Sequence, residues 1–206
     1  MLCCNALGNI FRLAIVVGTI FALILQFLTV KSCDFLQVTN ADETNAEIAS
    51  LGVWFHGTQD GECVEGSYDA MDEELIVGAR TALTWSLLFG AGALALVTFE
   101  WLCCNICCAG CITGFLFAGA WVMGSAVYMI YGISMCGSVD DAMDGADVVE
   151  DLSDFLPFLQ DVPSGTLCGW SEAATYNLVA IVLYFGCGIL LCFTPKPDPL
   201  LQQVSK

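Results

Sequence analysis

Four long apolar runs, separated by polar segments, dominate the pattern of this chain. They cover residues 10–30, 76–98, 112–134 and 174–193. Because a helix rises about 1.5 Å per residue, each run is long enough to cross the roughly 30 Å hydrocarbon core of a bilayer. The pattern therefore predicts one all-α membrane domain over 1–206, built as a four-helix transmembrane bundle.

The second and third runs are joined by the short segment 99–111, which must return the chain directly into the membrane. These two runs therefore form an antiparallel helical hairpin. A cleaved signal peptide is the alternative interpretation of the run 10–30. That run is longer than a usual signal core and has no small-residue cleavage site at its end, so we expect it to remain as a span.

Composition agrees with a membrane protein, because 57% of the residues are hydrophobic and only 13% are charged. Eleven of the 22 acidic residues lie in 31–75 and nine lie in 135–173. These two polar segments flank the hairpin at the ends away from its turn, so we expect both loops on one side of the membrane. The net charge of −17 excludes an electrostatic case for binding nucleic acid.

Cysteine placement predicts which side is outside. Each acidic loop holds two cysteines, Cys33 with Cys63 and Cys136 with Cys168. An even number per loop suits an oxidising exterior, and we expect each loop to form its own disulfide. Both termini, including the tail 194–206, are then cytosolic, in a plasma membrane or an endomembrane. The basic residues near the termini agree with this orientation.

The first acidic loop has strand-like composition in 34–39 and 49–56, where β-branched and aromatic residues are bounded by glycine-containing turns. It predicts a small extracellular β-sheet lying on the bundle. The second acidic loop predicts a short helix within 139–159, broken by prolines before Cys168.

One motif in the first loop points to a family. Gly52-Val53-Trp54 is followed by Cys63, and Arg80 stands in the sequence Ala-Arg-Thr-Ala-Leu at the start of the second span. This pattern resembles the signature of the claudin and peripheral myelin protein superfamily of four-span membrane proteins. The resemblance implies the same helical bundle and extracellular sheet.

The same resemblance implies a function as a junction barrier or pore, an auxiliary channel subunit, or a membrane organiser. Here Cys33 precedes Trp54, whereas claudins place both loop cysteines after the tryptophan. The chain also ends in Val204-Ser205-Lys206, without a hydrophobic last residue for a PDZ domain. These departures favour a divergent member acting as an organiser or auxiliary subunit, in contact with lipid and with other membrane proteins or further copies of itself.

Rival functions receive less support from the residues. A cation channel or paracellular-type pore is the first alternative, followed by a transporter. The ionisable residues Arg12, Arg80 and Glu100 lie at span ends, where their charges can reach water. A single histidine, His56, excludes a paired-histidine metal site, so we expect neither an enzyme nor a bound cofactor.

Cysteines crowd the expected cytosolic face. They are Cys3, Cys4, Cys103, Cys104, Cys107, Cys108 and Cys111. Their Cys-x-x-Cys spacings are compatible with zinc or an iron–sulfur cluster, and unmodified packing is a further alternative. Because juxtamembrane cysteines are common sites of S-palmitoylation, we expect lipidation.

An acidic run in the second loop resembles the start of an EF-hand, with Asp140 and Asp144 as candidate Ca²⁺ ligands. Its third position is Ala142, and its twelfth is Asp151 where a bidentate glutamate is usual. We expect a solvated acidic segment, with weak Ca²⁺ binding as the alternative.

Small residues recur inside the third run, as Gly114-x-x-x-Ala118 and Ala120-x-x-x-Gly124. Small residues at this spacing let helix backbones approach closely. We expect both pairs to pack the bundle itself, with contact to another membrane protein as the alternative.

The lipidation hypothesis is tested by acyl–resin capture. Wild-type protein should be captured, and capture should fall when the five cysteines of 99–111 are replaced by serine. Each buried acyl methylene contributes about 0.8 kcal/mol to membrane association, so several chains would hold this face firmly at the membrane. Equal capture of the variant would show that the turn is not the site.

Overall fold

The computed structural model describes six stretches of the chain, residues 2–40, 47–57, 63–65, 73–102, 109–132 and 166–194. Within them lie four long α-helices: α1 (Leu2–Lys31), α2 (Glu73–Leu102), α3 (Ala109–Ala126) and α4 (Glu172–Phe193). A 3-10 helix, Val127–Gly132, directly follows α3.

Four stretches of these helices are long and apolar enough to cross a membrane, which confirms the predicted number of spans. They are Gly8–Lys31, Ile76–Leu102, Ala109–Ile130 and Glu172–Phe193. Large apolar side chains remain exposed on every helix, and Phe115 and Phe193 are 71% and 74% exposed. Such surfaces are typical of an integral membrane protein in contact with lipid.

Several predicted boundaries can be compared with the structure. Helix α2 continues to Leu102, and α3 begins at Ala109, so both helices extend into the predicted turn. The remainder of that turn, residues 103–108, lies outside the described residues. The predicted helix within 139–159 and the tail from residue 195 also lie outside them.

The structure divides into two compact units. The first comprises the described parts of Met1–Phe27, Leu83–Ser125 and Asn177–Lys206. Its interior is filled by large side chains with less than 2% exposure, namely Tyr184, Phe117, Ile15, Leu83, Val97 and Gln26. The presence of a glutamine among apolar side chains requires a hydrogen-bonding partner for its amide.

Helix α3 presents one face to the interior of this unit, formed by Thr113, Phe117, Ala120 and Gly124. The expectation that Ala120 and Gly124 pack the bundle is therefore confirmed. The expectation for the other small pair is wrong. Ala118 is exposed, and a Cβ on Gly114 would meet no described atom within 4 Å, because both residues fall outside the buried helical face.

The second unit, within Leu28–Ala82 and Ala126–Tyr176, contains a five-stranded sheet. The strands are β1 (Leu36–Asn40), β2 (Glu47–Leu51), β3 (Phe55–Gly57), β4 (Cys63–Glu65) and β5 (Thr166–Trp170). Their order is β4-β3-β2-β1-β5, and all neighbours are antiparallel. The last strand therefore pairs with the first across more than a hundred residues of sequence, with Leu36 opposite Trp170.

The core of the second unit lies beside β1 and the 3-10 helix. Phe35 is fully buried, and its ring centroid lies 5.7 Å from that of Tyr128. Val127 and Ile130 are buried as well, at 0% and 2% exposure. Residues three apart lie on the same side of a 3-10 helix, so this helix places Val127 and Ile130 in the core together.

The close approach of α2 to Tyr184 can be tested at Gly90. A Cβ on Gly90 would lie 2.8 Å from Cζ of Tyr184, so Gly90→Ala should destabilise the protein by about 1–3 kcal/mol through overpacking. Gly92→Ala is the matched control, since its Cβ would lie 3.5 Å from Leu116 in ordinary contact. Reversible unfolding in bicelles measures both variants, and equal stabilities would contradict the packing described.

Candidate functional site

The family-motif residues meet in the second unit at the turn between β2 and β3. The backbone N–H of Gly52 donates to the carbonyl of Phe55 at 2.7 Å, closing the turn. Gly52 is buried, and a Cβ there would lie 2.6 Å from the Phe55 oxygen and 2.9 Å from Cα of Cys33. Only glycine therefore fits this position without displacing backbone.

Arg80 joins this turn to a spanning helix. Its Nε donates to the carbonyl oxygen of Val53 at 2.9 Å, and Val53 is fully buried. Arg80 lies near the start of α2, and the bond gives a buried carbonyl a charged donor, which is stronger than a neutral one. The first loop is thereby attached directly to a transmembrane helix.

The disulfide Cys33–Cys63, predicted from the sequence, adds a covalent link at the same place, with a Cα–Cα distance of 5.7 Å. Because Cys33 also borders Gly52, the disulfide, the turn and Arg80 are contiguous. We call Cys33, Gly52, Val53, Cys63 and Arg80 the motif junction. Trp54, the remaining motif residue, is half-buried and follows Val53 directly.

A buried polar chain links helices in the first unit. The Tyr184 hydroxyl donates to Oε1 of Gln26 at 3.0 Å, and Nε2 of Gln26 donates to Oγ of Ser86 at 2.7 Å. Ser86 in turn donates to the carbonyl of Ala120 at 2.7 Å. The three side chains have 0% exposure, and the chain of bonds connects α4, α1, α2 and α3 in that order.

A buried ion pair lies near other ends of the same helices. Nη1 of Arg12 is 3.5 Å from Oε2 of Glu100, with the two residues 3% and 7% exposed. Nearby in sequence, Trp101 donates from Nε1 to Oδ1 of Asn9 at 3.3 Å. Both residues lie near span ends, as expected, but their charges do not reach water, because each compensates the other's charge inside the protein.

Other predicted site residues are not brought together. Cys111 is free and exposed at the start of α3, Cys3 and Cys4 lie in the first turn of α1, and Cys168 lies in β5 opposite Val38. His56 lies in β3 opposite Val64. Outside the described residues are Cys103, Cys104, Cys107, Cys108, Cys136, Asp140, Asp144 and Asp151. Among the described residues, no group of three histidine, cysteine or acidic side chains could hold a metal ion.

Sequence reasoning missed the polar chain. The available signal was the presence of Gln26, Asn177 and Tyr184 inside runs that are otherwise apolar. Polar side chains in a span need partners inside the protein, so each could have been assigned to the bundle interior. Their pairing could not have been assigned, because Gln26 and Tyr184 are 158 residues apart.

Comparison with known protein families finds no family model that matches this chain. A search of curated proteins likewise finds no matching relative.

The motif junction is tested by Gly52→Ala. The added Cβ would meet three backbone atoms, so we expect a loss of about 2–4 kcal/mol in stability and a smaller fraction of molecules with the Cys33–Cys63 bond. Gly110→Ala is the control, because a Cβ there meets no described atom within 4 Å. Non-reducing peptide mapping and thermal unfolding measure both effects. Unchanged disulfide content and melting temperature in Gly52→Ala would contradict the geometry.

Proposed function

We propose that this protein is a non-enzymatic, claudin-like membrane organiser or auxiliary subunit, which attaches an extracellular β-sheet to a spanning helix for contact with other membrane proteins. The observation that carries the proposal is the bond from Arg80 to the Val53 carbonyl within the motif junction. It attaches the sheet-bearing loop to a spanning helix, so a partner bound to the loop would also be coupled to the span.

The motif junction agrees with the family resemblance in three respects. The glycine occupies a position that excludes any side chain, the motif arginine reaches the turn, and Cys63 forms a disulfide. These are the roles expected if the motif serves to fix the loop. A fixed loop surface suits recognition, because less conformational entropy is lost when a partner binds.

The orientation follows from chemistry. A disulfide between Cys33 and Cys63 is stable in an oxidising compartment, which favours an extracellular or lumenal position for the sheet. With four spans, both termini would then lie in the cytosol, together with the cysteine-rich segment 99–111.

The interior of the first unit favours an interaction protein over an autonomous channel. Three of its buried polar side chains, Tyr184, Gln26 and Ser86, bond to one another or to backbone. The buried ion pair of Arg12 with Glu100 has no net charge. A conducting pathway instead needs polar groups that face water or the ion.

The test compares partner capture with ion flux. Full-length tagged protein should retain specific membrane proteins when purified in mild detergent, and Arg80→Ala should lower their recovery several-fold. Val77→Ala is the control, because Val77 is exposed on the same helix. The Cys33–Cys63 bond is checked in each preparation to confirm that the loop has folded.

The purified protein is also reconstituted alone in liposomes. The proposal predicts no cation flux above that of empty liposomes. Partner-independent flux that is selective for cations would contradict it and support the channel alternative.

A further inference from the structure

Asn177 presents an acceptor inside the first unit that the protein itself does not satisfy. The residue has 0% exposure and lies in α4. Its Nδ2 donates to the carbonyl of Gly124 at 3.0 Å, which orients the amide, whereas Oδ1 has no hydrogen-bond partner. A buried carbonyl oxygen without a donor costs about 1–3 kcal/mol, so a donor is expected beside it.

Gly124 is also adjacent to the buried polar chain. A Cβ built on this residue would lie 3.2 Å from Oγ of Ser86 and 3.3 Å from Nε2 of Gln26. The Asn177 amide and the Gln26 amide are therefore both adjacent to a single residue of α3. The two groups belong to one polar region within the first unit.

Gln26 has one donor to spare. Its amide nitrogen carries two hydrogens. Among the described residues, Ser86 accepts a hydrogen bond from one of them, and the other has no acceptor. An uncommitted N–H and an uncommitted oxygen thus flank Gly124. The two complement each other as a donor and an acceptor, but no direct bond joins them.

We propose that an internal water molecule binds beside Gly124, donating to Oδ1 of Asn177 and accepting from Nε2 of Gln26. Water is the ligand that fits, because it supplies a donor and an acceptor at once and carries no charge. Cations are disfavoured, since the polar groups named here include no carboxylate to compensate a positive charge. Buried waters make about two to four hydrogen bonds, and the two named here meet that minimum.

This site would extend the polar chain to a second residue of α4. Tyr184 and Asn177 would then both be connected to Gln26, one directly and one through water. With the bound water, α4 would be linked to Gln26 of α1 at two positions that are seven residues apart in sequence. Two such links restrict the sliding of one helix along the other, which a single hydrogen bond does not.

The experiment is a double-mutant cycle with Asn177→Leu and Gln26→Leu, measured by reversible unfolding in bicelles. Either single change removes one of the two groups that hold the water. The second substitution should therefore lower the free energy of unfolding less in the single variant than it does in the wild type. We expect non-additivity of about threefold or more in the unfolding equilibrium constant. Additive effects would overturn the proposal.

A matched cycle with Asn177→Leu and Val97→Ala should be additive. Val97 is fully buried in α2, eleven residues from Ser86, and shares no hydrogen bond with Asn177. Non-additivity in both cycles would show a general loosening of the bundle and would also overturn the proposal.

A high-resolution structure in a lipidic phase provides the direct readout. Ordered density about 2.7–3.0 Å from Oδ1 of Asn177 is expected in the wild type and should be lost in Asn177→Leu. A side-chain donor at that position in the wild type would contradict the assignment to water. Failure of this site would leave the proposed function unaffected, because the motif junction is a separate feature.

Discussion

Inside the hydrocarbon core of a bilayer, a polar side chain has no water to bond with, and this constraint underlies the arrangement of the helices. Gln26 is the clearest case, because its amide is completely buried and needs both a donor and an acceptor. Tyr184 supplies the donor and Ser86 the acceptor. The Ser86 hydroxyl in turn donates a hydrogen bond to the backbone carbonyl of Ala120. Apolar packing alone discriminates weakly between alternative helix pairings in lipid, whereas this chain of bonds is satisfied by one pairing.

Similar bonds hold the start of α4 in the second unit. The Thr29 hydroxyl donates to the carbonyl of Ala173 at 3.2 Å, and the Tyr128 hydroxyl donates to the carbonyl of Ala174 at 2.6 Å. Ser171, just before the helix, accepts from the backbone N–H of Ala174 at 3.5 Å, as a capping residue does. Because β5 ends at Trp170, these contacts also fix where the sheet meets the helix.

Much of the architecture was predictable because it depends on local composition. Apolar run length predicts the four spans, and the cysteine count per loop predicts the Cys33–Cys63 bond. Strand β5 was not predicted, since residues 166–170 carry no alternating pattern and are positioned by pairing with β1. The outward placement of Gly114 and Ala118 was also missed, because spacing shows that two residues share a helix face but not which face is buried.

The candidate site was predictable in its members and only partly in its contacts. Gly52, Cys63 and Arg80 could be named from their motif. The bond from Arg80 to Val53 could not, because it depends on how the turn between β2 and β3 lies against the start of α2. The Arg12–Glu100 pair spans 88 residues, and neither residue has a sequence neighbour that indicates its partner. Contacts of this kind depend on which helices are adjacent, and the amphipathic pattern of an all-apolar span is too weak to show that.

The central claim is that the buried polar chain holds the helices of the first unit together, and Tyr184→Phe tests it most directly. This change removes one hydroxyl and leaves the ring, so that Oε1 of Gln26 loses its donor. Reversible unfolding in bicelles should show a loss of about 1–2 kcal/mol relative to wild type. A Tyr184→Phe variant as stable as wild type, or more stable, would contradict the account.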